Sequence, residues 1–235
     1  MTQEKLPHRK ELCLQPDIMY HYEYVSKKIA KPYREEFLDI IHEIQDLLRD
    51  RFTFKYKFVG SSSRNMITCD FTTNKGFDFD VNLCVNDDEE NYSAEEIKKE
   101  IMKAIDKVAP QRGFQYCEDS TRVITLKKRK STVNGIEYSC DFCIVFEYED
   151  KKGNRRQQYI RHQKQQQNYV WVDQPKTYQL EDKVKWIKEN NLWNDVLELY
   201  CYKKNTNQNQ DKKSRALYAE TIHEICQKNG YAIKK

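Results

Sequence analysis

The chain has 235 residues, 33% charged and 38% hydrophobic, with a net charge of +4, six glycines and five prolines. That balance excludes a disordered or fibrous chain and leaves one large domain or two small ones, each with a real core. The mild positive charge permits a polyanionic partner without requiring one.

The polar start MTQEKLPHRKELC lacks the apolar stretch of a secretory signal, and no run approaches the ~20 apolar residues of a membrane span. A cytoplasmic protein with no membrane partner is expected, its eight cysteines held as thiols. Cys140 and Cys143 form a C-x-x-C, but on a strand their odd separation points them to opposite faces, which argues against a shared zinc.

In chain order, residues 1–31 read as a helical or irregular lead-in, and Pro32 opens an amphipathic helix over 33–51. Its apolar positions Phe37, Ile40, Ile41, Ile44, Leu47 and Leu48 recur every three or four residues. FTFKYKFV alternates as a strand does and runs into the small-residue turn Gly60–Ser61–Ser62–Ser63. Asp70 is expected in a loop.

FDFDVNLCV predicts the next strand, on which Asp78 and Asp80 share one face. Two neighbouring desolvated carboxylates cost several kcal/mol, roughly, unless something neutralises them. Ser93 caps the following helix, and Glu96 completes a capping box. QYCEDSTRVITLKKRK and GIEYSCDFCIVFEYE predict strands joined through Asn134–Gly135, and RRQQYIRHQ one more. His162 is expected at the surface, and Lys127–Lys130 as a solvated strand end or an acceptor-binding patch.

Beyond about residue 170 the pattern changes to three helices, with 203–213 an exposed loop and Trp186, Trp193, Tyr200 and Tyr202 mainly core. The expected plan is α+β: a mixed sheet with flanking helices over 1–170, then a helical, substrate-binding region over 171–235.

Asp141, in YSCDFCIVF, adds a third acid in an apolar strand and shares its face with Cys143 and Val145. Three carboxylates meeting in a dry setting cannot all stay ionised without a cation. Magnesium, a hard ion that takes carboxylate and phosphate oxygens, suits them. The Gly60–Ser61 turn adds backbone N–H groups and a hydroxyl for triphosphate oxygens, since glycine lets the backbone come close. Together these are the parts of a two-metal phosphoryl or nucleotidyl transfer site.

The ordered set of strand, G-S, D-x-D and a later lone Asp resembles the DNA polymerase β-like nucleotidyltransferase superfamily. FDFDVNL and YSCDFCIVF are most similar to the branch of oligoadenylate synthases, cyclic GMP-AMP synthase and their bacterial relatives. The likeness covers roughly 33–230, with its diagnostic part at 59–85 and 138–146. The resemblance implies a polymerase β-like fold in which Gly60 and Ser61 hold the donor phosphates. It implies that Asp78 and Asp80 bind two Mg²⁺ or Mn²⁺ ions, and that Asp141 completes one metal site and helps deprotonate the acceptor. Lys203 or Lys204, with Ser214, would meet the triphosphate. Arg215 stands where relatives often carry an aromatic base-stacker.

The resulting expectation is a metal-dependent nucleotidyltransferase. It would move a nucleoside monophosphate from an NTP to a hydroxyl on a nucleotide, an RNA end or a small molecule, releasing pyrophosphate. The alternatives are a catalytically silent nucleotide-binding scaffold on the same fold and an RNA-binding protein.

Overall fold

The computed structural model describes residues 19–73, 76–87, 91–128, 136–175, 179–209 and 211–232. Period-two alternation builds a seven-stranded mixed sheet. Its main path runs β2 (Thr53–Val59), β4 (Phe77–Asn86), β7 (Tyr138–Glu149), β6 (Ile124–Lys127) and β5 (Glu118–Asp119). β4 and β7 are parallel, and the other neighbours are antiparallel. β7 is long enough to take two partners on one edge. Residues 139–142 pair with β6, and 145–149 pair with β8 (Arg155–Gln163), which pairs in turn with β9 (Asn168–Asp173).

On β4 the side chains of Phe77, Phe79, Val81, Leu83 and Val85 are buried, as are Cys140, Phe142 and Ile144 on β7. They pack against α1 (Lys27–Leu48) and α3 (Ala94–Val108), with the Phe37 and Phe79 rings 5.5 Å apart. Strand alternation therefore turns Asp78, Asp80 and Asp141 to the opposite face. α3 starts with the expected capping box: Glu96 N–H donates to Ser93 Oγ, and the Glu96 carboxylate accepts from Ser93 N–H at 2.8 Å. A second core forms among α4 (Leu180–Glu189), α5 (Trp193–Asn205) and α6 (Ser214–Lys228), around Ile187, Val196, Tyr200, Tyr218 and Ile222. Met66, from the sheet half, is buried in it.

Several expectations need correction. The lead-in contains a strand, β1 (Tyr22–Tyr24), antiparallel to β3 (Thr68–Asp70). α1 begins at Lys27, capped by Ser26, and Pro32 lies inside it. Pro32 forfeits one backbone bond near the helix start, and the buried stripe from Ala30 to Leu48 outweighs that loss. Leu47 lies off that stripe and is 42% exposed. The described part of the single predicted strand 115–130, residues 115–128, holds two strands, β5 and β6, with a turn in which Ser120 N–H donates to the Val123 carbonyl.

β9, a strand with only a weak alternation in sequence, explains His162. That ring stacks on Tyr169 of β9 at 4.4 Å, with Nδ1 2.9 Å from Asp119, so it is largely buried and not at the surface. Lys127 pairs with Glu118, while Lys128 donates to the Arg112 carbonyl and pairs with Glu36. Residues 129–130 and the Asn134–Gly135 turn lie outside the described residues. Tyr202 is 52% exposed, whereas Tyr200 is buried and Trp186 and Trp193 are half-buried. Helix α5 runs on to Asn205, so 203–205 is not loop. Asn205 instead clamps the amino-terminal strand: Oδ1 accepts from Tyr22 N–H at 2.6 Å, and its carbonyl accepts from the N–H groups of Met19 and Tyr20.

Asp70 is no loop acid either. It is fully buried at the end of β3 and accepts from the N–H groups of His21, Thr72 and Thr73 and from the Thr72 hydroxyl. Despite burial, which acts the other way, these bonds hold its carboxyl well below the usual carboxylate range. Asp70→Ala strands several buried donors, and a loss of about 2–4 kcal/mol in urea unfolding is expected. A loss under about 0.5 kcal/mol would show that β1 is held by something else.

Candidate active site

The site lies where the polar sheet face meets α2 (Gly60–Ser63) and the helical half. In the parallel β4–β7 register Asp80 stands directly opposite Asp141, and Asp78 opposite Ser139. The three predicted acids therefore occupy one patch of two adjacent strands. Asp78 accepts from the Ser139 hydroxyl, and Asp141 accepts from Thr125 Oγ1 at 2.6 Å, Thr125 being its cross-strand partner on β6.

β2 brings Gly60 against the same carboxylate, because Val59 pairs with Asp80. Gly60 has φ +64°, and a Cβ there would lie 2.9 Å from Asp80 Cγ with Oδ2 nearer still. Only glycine combines that backbone angle with that approach. Ser61 follows in the turn, its carbonyl accepting from the N–H groups of Arg64 and Met66 at 3.2 and 2.9 Å.

Electrostatics mark the patch as strained. Burial, then the charges of Asp141 and Asp78, push the Asp80 carboxyl up to about 6, while Arg64 and Arg215 oppose the shift. Burial also raises Asp141, against the Thr125 hydrogen bond. Two half-buried acids held side by side are what a cation relieves.

The helical half contributes unequally. Lys204 Nζ donates to Thr68 Oγ1 and lies 4.3 Å over the Tyr22 ring, and burial lowers its pKa while nearby Asp78 opposes. Lys203 turns away and pairs with Glu224 at 2.8 Å. Ser214 opens α6 and lines, with Lys204, Tyr20, Tyr22 and Lys213, an open cleft of about 360 Å³. The structure thus gathers Gly60, Asp78, Asp80 and Asp141 closely, sets Lys204 and Ser214 along one cleft, and leaves Lys203 in an ion pair.

Four further residues escaped the sequence reading. Ser139 and Thr125 carry no local signal, since only strand register puts them beside the acids. Tyr22 sits in a segment read as lead-in. Arg64 closes α2, and its position directly after the small-residue turn was a usable signal.

The residues present fit a divalent cation in kind: three hard carboxylates, of which Asp80 carries a charge that burial and its neighbours disfavour. Among the described residues no three acidic, histidine or cysteine side chains are already gathered as a cage. Asp78 and Asp141 are instead turned to the hydroxyls of Ser139 and Thr125.

Sheet topology, the Gly60 turn and the aspartate patch define a nucleotidyltransferase fold of the polymerase β type. Solved structures share it. The CdnE c-di-GMP synthase from Capnocytophaga granulosa matches with a TM-score of 0.56 and 15% identity, over 90% of this chain and 64% of that one. Vibrio cholerae DncV in its 3′-deoxy ATP bound form matches with a TM-score of 0.51 and 15% identity, over 90% of this chain and 54% of that one. The chain spans less than two thirds of either of these two proteins. No family model matches the chain, and no curated protein matches it in sequence. Among the described residues no helix is long and apolar enough to cross a membrane.

Proposed function

We propose that the chain is a nucleotidyltransferase that moves a nucleoside monophosphate from an NTP to a hydroxyl acceptor. The observation that carries this reading is the pairing of Asp80 with Asp141 across β4 and β7, with the Gly60 backbone packed on Asp80. A 3′-deoxy ATP complex of one structural neighbour and the c-di-GMP synthase activity of another support the same substrate class.

In this reading the Gly60–Ser61 turn receives the donor phosphates, and Lys204 and Ser214 hold the outer ones. Asp141, raised by burial, accepts the proton of the acceptor hydroxyl as its oxygen attacks the α-phosphorus. The bond to the β-phosphate breaks, and pyrophosphate leaves. Thr125 fixes one Asp141 oxygen and leaves the other for that proton. Mg²⁺ or Mn²⁺, held by Asp78, Asp80 and Asp141, would supply charge stabilisation for the attacking and leaving oxygens. The acceptor is a nucleotide, an RNA end or a small molecule.

Incubation with each labelled NTP and Mg²⁺ or Mn²⁺, with and without bulk RNA, tests the reading. Pyrophosphate release with a new nucleotide-bearing product is expected, and it disappears in Asp78→Asn/Asp80→Asn. Binding of NTP without turnover under every condition would favour the silent scaffold. Lysine variants separate the two candidates: Lys204→Ala should weaken NTP binding about tenfold or more, and Lys203→Ala by less than about twofold. The opposite ranking would reassign the triphosphate contact.

A further inference from the structure

β2 ends the sheet: among the described residues β4 is its one strand partner, and its other edge meets no strand. Gln45 Nε2 of α1 donates to the Phe54 carbonyl at 2.7 Å, which marks that carbonyl as turned away from β4. In an antiparallel pair the outward main-chain groups belong to every second residue. Those of Tyr56 and Phe58 therefore point outward too, and among the described residues they have no hydrogen-bond partner. An open edge of this kind is a template for one more strand.

The surroundings of the edge are basic. Period two buries Phe54 and Phe58 and leaves Lys55 and Lys57 exposed on the opposite face. On the core side α1 sets Arg34, its Cζ 4.2 Å over the Phe58 ring, and His42, its Nε2 3.2 Å from the Tyr56 hydroxyl. Among the described residues no carboxylate pairs with Arg34, Lys55 or Lys57. Each acid of α1 already has a basic partner, Asp39 and Glu43 sharing Arg112. Cations without a counter-charge thus flank an open row of main-chain donors and acceptors.

That combination selects among occupants. Two copies joined antiparallel about Tyr56 would set Lys55 of each opposite Lys57 of the other, and like charges facing each other destabilise a strand pair. A duplex nucleic acid would answer the cations and leave the main-chain row unused. An extended chain with an acid at every second position answers both. Its carboxylates meet the two lysines, and Arg34 adds a field of the same sign from the other side.

We propose that the free edge of β2 docks an acidic, extended segment of a partner protein, which lengthens the sheet by one strand. Its main chain pairs with Tyr56 and Phe58, and its alternate carboxylates lie opposite Lys55 and Lys57. The inference does not rest on the transferase reading. Val59 of the same strand nevertheless pairs with Asp80, so the docked segment lies only one strand away from the aspartate patch.

The test uses the full chain without nucleotide or metal and capped, labelled peptides of alternating Glu and Val, read by fluorescence anisotropy. The Glu–Val peptide binds, and its counterpart with Lys in place of Glu does not. Lys55→Glu/Lys57→Glu, at two exposed positions, raises the Kd about tenfold or more with an unchanged thermal midpoint. The reversed chain takes the Lys–Val peptide instead. Paired with β2, the peptide turns its Val amides to the edge and its Glu amides to solvent. N-methylation at the Val positions therefore weakens binding about tenfold more than N-methylation at the Glu positions.

No binding by the Glu–Val peptide, equal binding by the charge-reversed chain, or indifference to which amides are methylated would each overturn the proposal. A wild-type dimer that the peptide splits into monomers would give the edge to a second copy. A duplex RNA held more tightly than the peptide through the same lysines would give it to nucleic acid. Either result would overturn the proposal as well.

Discussion

Asn at both Asp80 and Asp141 is expected to lower nucleotidyl transfer by about 10³-fold or more while making the metal-free protein more stable at neutral pH. The two effects share one cause. Asp80 takes up its proton at about 6 in the folded chain, against about 3.9 for an unfolded aspartate. Between those values the folded state holds more protons, so stability falls as pH rises through the window. The deficit is complete above about 6 and amounts to about 2–3 kcal/mol, which the variant avoids.

A thermal midpoint about 5 °C or more above wild type at pH 7.5, with the gap closed near pH 4, is the expected signature in EDTA. Added Mg²⁺ should stabilise the wild type and not the variant, reversing the order through linkage. A variant less stable than wild type at pH 7.5 without metal would mean that the carboxylates are already neutralised by the protein. The site would then owe nothing to a cation.

Gly60→Ala should be nearly as damaging to activity, for a steric reason. The new methyl would stand in the left-handed region, at φ +64°, and inside the contact distance of Asp80. Relief requires either the turn or the carboxylate to move, at a cost of about 2–4 kcal/mol. Even where the chain stays folded, the backbone can no longer approach the carboxylate as closely, and transfer should fall about 100-fold. Urea unfolding and the labelled-NTP assay read the two losses separately. A Gly60→Ala protein with wild-type turnover would show that the turn does not meet the donor at close range.

The legible parts of the molecule were those written in local periodicity. FTFKYKFV, FDFDVNLCV and YSCDFCIVF alternate over a few residues, and that alternation alone puts Asp78 with Asp80 on one face and Asp141 with Cys143 on its own. The capping box at Ser93–Glu96 and the three terminal helices are legible for the same reason. Where the reading failed, a distant partner decided the outcome. The Tyr22–Tyr24 segment is a strand because β3 pairs with it and Asn205 clamps it from 183 positions away. Asp70 is buried because the amino-terminal strand brings the N–H of His21 to it. His162 is covered by a strand whose apolar and polar residues gave too weak a signal to notice.

By itself, then, the sequence determined the elements, the face on which each acid lies and the glycine turn that precedes them, since each depends on a handful of adjacent residues. Only the tertiary structure decided that Asp80 stands opposite Asp141, that Thr125 and Ser139 hold the outer two acids, and that Lys204 turns to the site while Lys203 turns to Glu224. Arg64 belongs with these, since its ring partner Tyr218 lies on the last helix. Register and packing are contacts between segments far apart in the chain. Their free energy comes from burying whole faces together, and no single stretch of sequence carries it.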